Sequence, residues 1–313
     1  MENMTLPPSR PLTFREQERQ CASLFLTRGP FYHLCTPGES TLTLFETDDD
    51  FRFAMNLTAW CSHLIPDVNI LTFEIMRTHL HLIGEGPPDA AQEWFGQFRK
   101  RMFRFYQSTG RVRDLKGFRA DCFPVNDLSF LRNSITYVNR NGFLVYPEHS
   151  PYSYPWGANR FFFNPDACRR CDRRYGDLTW DEKRVLMRCR NADYPGDHTL
   201  VDGYVSPVNY CDLPLAEALF RDARHYFYQV SRHVEGYLEI ARLLGDKATY
   251  TDDELYLVVR QLCRDRYGVA RPETLPPEKK REFAHLLRHE YKASDNQIRR
   301  MLRMEQLPSG FGR

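Results

Sequence analysis

Two histidines separated by one leucine are the residues of this 313-residue chain whose spacing most directly indicates chemistry. His79 and His81 lie in the segment MRTHLHLIGEG, which begins at Met76 and is mostly apolar. If the segment is a strand, both imidazoles project from one face and Leu80 turns into the core. Two neighbouring neutral imidazoles suit a divalent metal. A pair of partly buried, hydrogen-bonded histidines explains the motif equally well, so the pair alone does not decide between the two.

A second pair of residues lies in the segment DLSFLRNSITYVNRNG, which begins at Asp127. Its pattern predicts a helix over 127–142. Tyr137 and Asn141 are four residues apart, so they share one face of that helix. Tyr137 brings a hydroxyl nucleophile, unless it serves only in core packing, and Asn141 brings a neutral oxygen ligand. Two histidines and one asparagine, with positions left for phosphate and water, suit Mg²⁺ or Mn²⁺, which polarise a phosphoryl group.

Basic residues cluster in one stretch of a chain whose net charge is only +2. Between residues 99 and 119 the only acid is Asp114, and the bases are Arg99, Lys100, Arg101, Arg104, Arg111, Arg113, Lys116 and Arg119. Such a local excess attracts phosphate, although a solvated helix face has the same composition. Aromatic residues alternate with these bases and can stack on unpaired nucleotides, but at helical spacing most aromatics belong to the core.

The composition, 42% hydrophobic and 27% charged, is that of an ordinary globular protein. No run of 18 or more apolar residues indicates a membrane span, and the N-terminal sequence has no apolar segment typical of a secretory signal. Nine unevenly spaced cysteines argue against a disulfide framework, so a cytoplasmic location is expected. Cys168 and Cys171 could form half of a zinc site, but no second close pair follows, which favours reduced cysteines.

Strand and helix patterns alternate through the first half of the chain. Strands are predicted over 30–38, 68–76 and 77–85. Helices are predicted over 48–64, 89–107 and 127–142. This order predicts an α+β fold in which helices pack on an antiparallel sheet.

The last third of the chain is predicted to be mostly helical. Residues 213–244 have a largely helical pattern, and further helices are predicted over 251–266, 277–291 and 294–304. The last two have helix-turn-helix proportions, and the second of them carries Arg299, Arg300 and Arg303. Those arginines either contact DNA or belong to a helical hairpin that packs on another part of the protein.

Three segments occur in an order that resembles a known family. FEIMRTHLHLI, LRNSITYVNRNGF and YPWG together resemble the REP-associated tyrosine transposases, which are single-tyrosine members of the HUH endonuclease superfamily. The resemblance covers roughly residues 28–160, and the matching residues are His79, Leu80, His81, Tyr137, Val138, Asn141, Tyr154, Pro155, Trp156 and Gly157. The sequence departs from the family pattern at Arg77 and Thr78, where the family usually has proline followed by a polar residue, and at Gly142, where it has proline.

The resemblance implies a ferredoxin- or RRM-like antiparallel sheet with helices on one face. It divides the chain into an N-terminal extension (1–27), a nuclease domain (28–157), a connecting region (158–248) and a helical C-terminal domain (249–313). The implied activity is cleavage and joining of single-stranded DNA at or near hairpins through a 5′-phosphotyrosine on Tyr137. Mg²⁺ or Mn²⁺ would be held by His79, His81 and Asn141.

The same resemblance implies a cytoplasmic, nucleoid-associated bacterial protein whose partner is single-stranded or hairpin DNA, and it leaves monomer and homodimer open. Two other functions stay open. One is a different metal-dependent hydrolase, and the other is a catalytically idle protein that binds DNA hairpins. A His-triad nucleotide hydrolase is nearly excluded, because its third histidine would stand at the position of Ile83.

Overall fold

The structure is a computed structural model of the chain. It describes residues 12–36, 44–111, 115, 118–145, 152–189, 193–232, 252–291, 293 and 295–304.

An antiparallel sheet of four strands positions the conspicuous residues. The strands are β1 (Phe31–Cys35), β2 (Asn69–Ile75), β3 (Leu80–Glu85) and β4 (Asp121–Val125), in the spatial order β2-β3-β1-β4. Together with one helix after β1 and one after β3, this is the β-α-β-β-α-β order of ferredoxin-like folds. The α+β fold expected from the sequence is therefore confirmed. β4 is not predicted from the sequence.

Four helices accompany the sheet, namely α1 (Phe14–Thr27), α2 (Asp48–Leu64), α3 (Pro88–Ser108) and α4 (Leu128–Val145). The range predicted for α2 agrees with the structure because Thr47 and Asp50 form a capping box at its start. α1 lies in the range expected to be an extension and is not predicted as a helix. It is joined to α4 by the ion pair between Glu18 and Arg132.

The two faces of the sheet differ because side chains alternate along each strand. Thr72 and Glu74 of β2 point toward α4, where Thr72 bonds the Asn139 side chain and Glu74 accepts from the backbone nitrogen of Gly142. We call this side the α4 face. The alternate residues point the other way, toward α2 and α3, and form the apolar face, which includes Tyr32, Leu34, Phe73, Leu80 and Leu82. The expected helices on one face are thus α2 and α3, and α4 covers the other.

The chain after α4 forms small elements that pack on the larger sheet and on its helices α2 and α4. They are α5 (Pro165–Arg169), β5 (Arg173–Arg174), α6 (Trp180–Met187), β6 (Thr199–Val201), β7 (Tyr204–Val205), α7 (Leu213–Ala218) and α8 (Ala223–Arg232). The strands form a second antiparallel sheet in the order β5-β6-β7. The apolar cluster of the larger sheet includes residues of β7, α7 and α8. Met187 of α6, Leu200 of β6 and Val205 of β7 instead pack with Ala59 and Trp60 of α2 in a second cluster.

Three helices form the described part of the C-terminal region. They are α9 (Asp252–Tyr267), α10 (Pro277–His289) and α11 (Asp295–Leu302), close to the predicted ranges. Leu255, Phe283, Leu287 and Ile298 are among the buried residues of a separate apolar cluster that holds them together. The part of 213–244 beyond residue 232 lies outside the described residues. Among the helices described, none has the length and apolar character needed to cross a membrane.

Candidate active site

The residues singled out in the sequence meet between the sheet and α4. His81 belongs to β3 and is fully buried, and its ring centre lies 5.7 Å from that of Tyr137 on α4. The ring of His79 lies next to that of His81, with centres 4.9 Å apart and planes nearly perpendicular. The structure thus brings together three residues that are up to 58 positions apart in the sequence.

His79 lies just outside the strand in which it was expected. β3 begins at Leu80, and His79 follows two bend residues, Arg77 and Thr78. The Thr78 hydroxyl and Nδ1 of His79 are 2.9 Å apart and hydrogen-bonded. Thr78, one of the two residues before His79 that depart from the family pattern, therefore helps to hold the His79 imidazole in place. His79 is only partly buried, so it connects the site to solvent.

A third histidine, which the sequence analysis does not single out, completes the group. His33 lies on β1, and its Nε2 is 3.2 Å from Nδ1 of His81. The centre of its ring is 6.4 Å from that of Tyr137. His33 is 1% exposed, so its ring contacts other side chains of the α4 face and not solvent.

Burial keeps the imidazoles at the centre of the site neutral. Desolvation lowers the pKa of His81 to about 3 and lowers the pKa of His33 well below its usual value. A neutral imidazole has one nitrogen with a lone pair, which is the form that binds a metal. Glu74 lies on the same face, directly across from His81 in the register of β2 and β3. Burial raises its pKa well above the usual value, which favours the protonated form.

Asn141 lies one turn beyond Tyr137 on α4, as the spacing predicts, and is 8% exposed. Its amide nitrogen is buried and has no hydrogen-bond partner in the described part of the chain. The side-chain oxygen of Asn133, one turn before Tyr137, is in the same situation. Buried polar atoms without partners are rare and call for an explanation such as a water or an ion. A polar ligand beside Tyr137 would supply one.

The donor set is compatible with a divalent ion. The imidazoles of His79 and His81 and the amide of Asn141 are nitrogen and oxygen donors that Mn²⁺ accepts and Mg²⁺ tolerates beside oxygen ligands. Within the described ranges no three His, Cys, Asp or Glu side chains are grouped in a way that could hold a metal. A metal at this site would therefore depend on the asparagine amide and on oxygens from substrate or water.

The YPWG segment pairs with the free edge of β2. The backbone nitrogen of Ile75 donates to the carbonyl of Trp156 over 2.8 Å, and that of Ala158 donates to Phe73 over 3.0 Å. The Tyr154 hydroxyl donates to the carbonyl of Ile75 over 2.7 Å. The segment thus extends the sheet by a short stretch of strand-like backbone and covers an edge that would otherwise be exposed.

Tyr154 also determines which residue can stand at position 142. A Cβ added to Gly142 would lie 2.1 Å from the Tyr154 ring, closer than any non-bonded contact allows. Only glycine lets α4 approach Tyr154 this closely, and its backbone nitrogen donates to Glu74 over 2.8 Å. Gly142, the second departure from the family pattern, therefore fits a close contact that holds α4, with Tyr137 and Asn141, against the sheet.

Four of the bases in the 99–119 stretch that is predicted to bind DNA are exposed. Arg99, Lys100 and Arg104 lie on α3, and Arg119 precedes β4. Arg99 also donates to the carbonyl of Leu115. These side chains present positive charge to solvent, which is what binding to a phosphate backbone requires.

Two other bases of this stretch are engaged within the protein. The Arg101 guanidinium lies 4.3 Å from the centre of the Trp60 ring. Arg111 forms an ion pair of 2.6 Å with the buried carboxylate of Asp50, which lowers the pKa of Asp50. Both contacts stabilise the domain whether or not DNA is bound. Arg113 and Lys116 lie outside the described residues.

The remaining candidates lie further along the chain. Arg299 and Arg303 are exposed on and just after α11, and the side chain of Arg300 lies outside the described part. Cys168 and Cys171 are reduced thiols that donate to backbone carbonyls. The aromatic residues of α3 are mostly buried, and Phe103 is the exposed one among those predicted as possible stacking residues.

Comparison with known proteins adds little to this geometry. No protein-family model matches the sequence. No curated protein matches it either. One solved structure that is similar to this chain is described as a REP-associated tyrosine transposase bound to a REP hairpin. The similarity covers 56% of this chain and 94% of the chain in that structure, with 12% sequence identity and a TM-score of 0.31. A likeness at that level carries no argument about the site, and the fold class follows from the strand order and helix placement described above.

Proposed function

We propose that the protein cleaves and rejoins single-stranded DNA at or near hairpins, with Tyr137 as the nucleophile. The observation that carries this proposal is the packing of the Tyr137 ring edge-on against His81, beside His79 and one turn from Asn141. A tyrosine beside neutral imidazoles and an amide has the components of a phosphoryl-transfer site.

The proposed reaction exchanges one phosphodiester for another. The Tyr137 oxygen attacks phosphorus and loses its proton, a P–O bond to tyrosine forms, and the bond to the 3′ oxygen breaks. The leaving 3′ oxygen takes up a proton and becomes a free hydroxyl. Because the new ester is similar in energy to the old one, a second 3′ hydroxyl can reverse the step and join two strands.

His79, His81 and Asn141 are the residues that would hold Mg²⁺ or Mn²⁺. When bound there, such an ion would neutralise negative charge on the scissile phosphate and orient it. The protein's own contribution is placement. His81 is fixed by its strand and by His33, His79 by Thr78, and α4 by the Glu74–Gly142 contact.

The exposed bases of α3 fit the same function. Arg99, Lys100 and Arg104 would contact phosphates of the strand that leads to the site, and the exposed Arg299 and Arg303 would contact DNA elsewhere. Contacts of this kind are sequence-independent and weaken steeply with salt. They position the strand, while recognition of a particular hairpin requires contacts with bases.

A second function is favoured by one observation. Tyr137 is 4% exposed and His81 is fully buried, so a phosphate cannot reach the Tyr137 hydroxyl without a local opening. A protein that binds DNA hairpins without cutting them would have no need for such an opening. The two functions differ in one measurable product, the covalent protein–DNA adduct.

The test uses single-stranded DNA that contains a hairpin with randomised flanks, incubated with the full chain and Mn²⁺ or Mg²⁺. A label at the 3′ end of the DNA should become bound to the protein on a denaturing gel, whereas a label at the 5′ end should leave with the free 3′-hydroxyl fragment. Tyr137→Phe should lose the adduct and keep DNA binding.

Tyr32→Phe is the matched control. Tyr32 lies on the apolar face, and its buried hydroxyl has no hydrogen-bond partner in the described part of the chain, so the variant should keep the adduct. DNA binding by the wild-type protein without an adduct would favour the hairpin-binding function. An undiminished adduct in Tyr137→Phe would remove Tyr137 from its role.

A further inference from the structure

His33 lies on β1, one of the two central strands of the sheet. β1 is flanked by β3 on one side and β4 on the other, and His33 is opposite Ile83 in one register and Phe123 in the other. Its backbone is therefore held by two strands, and its fully buried ring has little room to turn. A side chain held in this way can fix the orientation of the neighbouring His81 ring.

The hydrogen bond between His33 and His81 can have either histidine as its donor. Nε2 of His33 and Nδ1 of His81 are buried and 3.2 Å apart, so one hydrogen lies between them. If His33 donates it, Nδ1 of His81 accepts it, and the one N–H hydrogen of the His81 imidazole is on Nε2, which then has no lone pair. If His33 accepts it, Nε2 of His81 presents a lone pair.

We propose that His33 is a positioning residue whose Nε2 accepts a hydrogen bond from Nδ1 of His81, which holds His81 in the tautomer that binds a divalent cation through Nε2. The inference rests on the proposed function, since it assigns the arrangement that a cation at His79, His81 and Asn141 requires. In metal sites the second ring nitrogen of a histidine ligand is generally bonded to a fixed acceptor, and losing that partner weakens metal affinity about 10–100-fold.

An acceptor role for His33 is the one that a cation on Nε2 of His81 requires. Nδ1 of His81 is turned toward His33, so Nε2 of His81, on the far side of the ring, is the nitrogen available to the rest of the site. In the neighbouring imidazole of His79, Nδ1 is hydrogen-bonded to the Thr78 hydroxyl. Nε2 of His79 is therefore the nitrogen that would bind the cation, as in His81. Both histidines are therefore held by Nδ1, one by a hydroxyl and the other by an imidazole.

The experiment measures the tautomer of His81 directly. Two-bond ¹H–¹⁵N correlation spectra of the ¹⁵N-labelled, metal-free full chain distinguish a protonated Nδ1 from a protonated Nε2. We expect wild-type His81 to carry its hydrogen on Nδ1. A hydrogen on Nε2 would overturn the proposal without any variant, so the test does not depend on a substituted protein folding.

Two variants extend the test to metal binding. His33→Leu removes the acceptor, and Mn²⁺ affinity measured by electron paramagnetic resonance should fall about 10–100-fold. His33→Gln places an amide oxygen where Nε2 stood and should restore most of that affinity. Wild-type affinity in both variants, or equal loss in both, would contradict a positioning role.

The adduct assay separates this inference from the proposed function. If the wild-type protein forms no adduct while His81 carries its hydrogen on Nδ1 and His33→Leu weakens Mn²⁺ binding, His33 keeps its role and the DNA-cleavage function fails. If the adduct forms and His81 carries its hydrogen on Nε2, the function stands and His33 loses its role.

Discussion

The two faces of the central sheet are equally buried and chemically opposite. The apolar face carries Leu34, Leu80 and Leu82, while the α4 face carries His33, Glu74 and His81 at the alternating positions. Burying a leucine stabilises a protein by about 1.5–3 kcal/mol. Burying a polar group costs free energy unless it is hydrogen-bonded, and an unpaired one costs about 1–3 kcal/mol. The α4 face therefore has a composition that stability alone does not favour.

The different compositions of the two faces indicate that the same strands have a structural role on one side and a functional role on the other. The same backbone that gains stability from one face holds reactive groups in place on the other. Three buried atoms on the α4 side, Nδ1 of His33, Oε1 of Glu74 and the Asn141 amide nitrogen, have no hydrogen-bond partner within the described residues. Native proteins tolerate such atoms mainly where function requires them.

The largest effect is expected where α4 meets the polar side of the sheet. In Gly142→Ala the new methyl group would overlap the Tyr154 ring, so α4 must move off β2 and lose the Glu74 contact. We expect a loss of at least about 4 kcal/mol in the free energy of unfolding, measured by chemical denaturation, or failure to fold.

Gly96→Ala is the matched control, because Gly96 lies within α3 and an added Cβ there has open space around it. Alanine is the better helix former, so this variant should gain about 0.5–1 kcal/mol. Equal stability of the two variants would show that α4 is not held at Gly142.

A core substitution on the apolar face should have the next largest effect. Leu82 is fully buried, and Leu82→Ala should lose about 2–5 kcal/mol in the free energy of unfolding. It should retain Mn²⁺ affinity, because Leu82 points away from the site. His81→Ala, one residue away and on the other face, should lose Mn²⁺ affinity. Loss of Mn²⁺ binding in Leu82→Ala at temperatures where it stays folded would show that the faces are not separable.

The effect that is smallest per unit of pH concerns the proton on Glu74. Burial raises the pKa of Glu74 in the folded protein, whereas a glutamate in the unfolded chain has a pKa of about 4.3. Stability contributed by the protonated carboxyl is complete below that pH and is lost as the pH rises toward the folded-state pKa. Glutamine does not ionise and can still accept the hydrogen bond from Gly142.

The stability difference between Glu74→Gln and wild type should consequently grow with pH by up to about 1.4 kcal/mol per unit in this interval. The measurement is a series of denaturation curves between pH 4 and pH 8 or so, at matched ionic strength. Parallel stability profiles for the two proteins would mean that Glu74 is ionised in the folded state and that the α4 face carries a negative charge.

The elements of the apolar face follow from the sequence with little help from the structure. Helix α2 is predictable to the residue because acidic residues after Thr47 mark its start and apolar residues recur at helical spacing. β4 is not, because its strand contains Pro124 and half-exposed residues, a composition that reads as a loop. Its identity as a strand comes from pairing with β1.

The polar face is predictable only where its residues are paired in sequence. His79 with His81, and Tyr137 with Asn141, have spacings that indicate a shared face. His33 stands alone in the apolar run FYHLC, and its partner is 48 positions away. Only the register of β1 and β3 brings them together. The alternation of FYHLC, with a polar residue facing opposite to Tyr32 and Leu34, is the one signal that could have identified it.

The role of Tyr137 as the nucleophile is tested most directly by identifying the residue to which DNA becomes attached. Wild-type protein is incubated with hairpin-containing single-stranded DNA and Mn²⁺, digested with nuclease and protease, and mapped by mass spectrometry. We predict a nucleotide linked through its 5′ phosphate to the peptide that contains Tyr137. A nucleotide on any other residue, or DNA binding with no linked peptide at all, would contradict the assignment of this site as a DNA-cleaving centre.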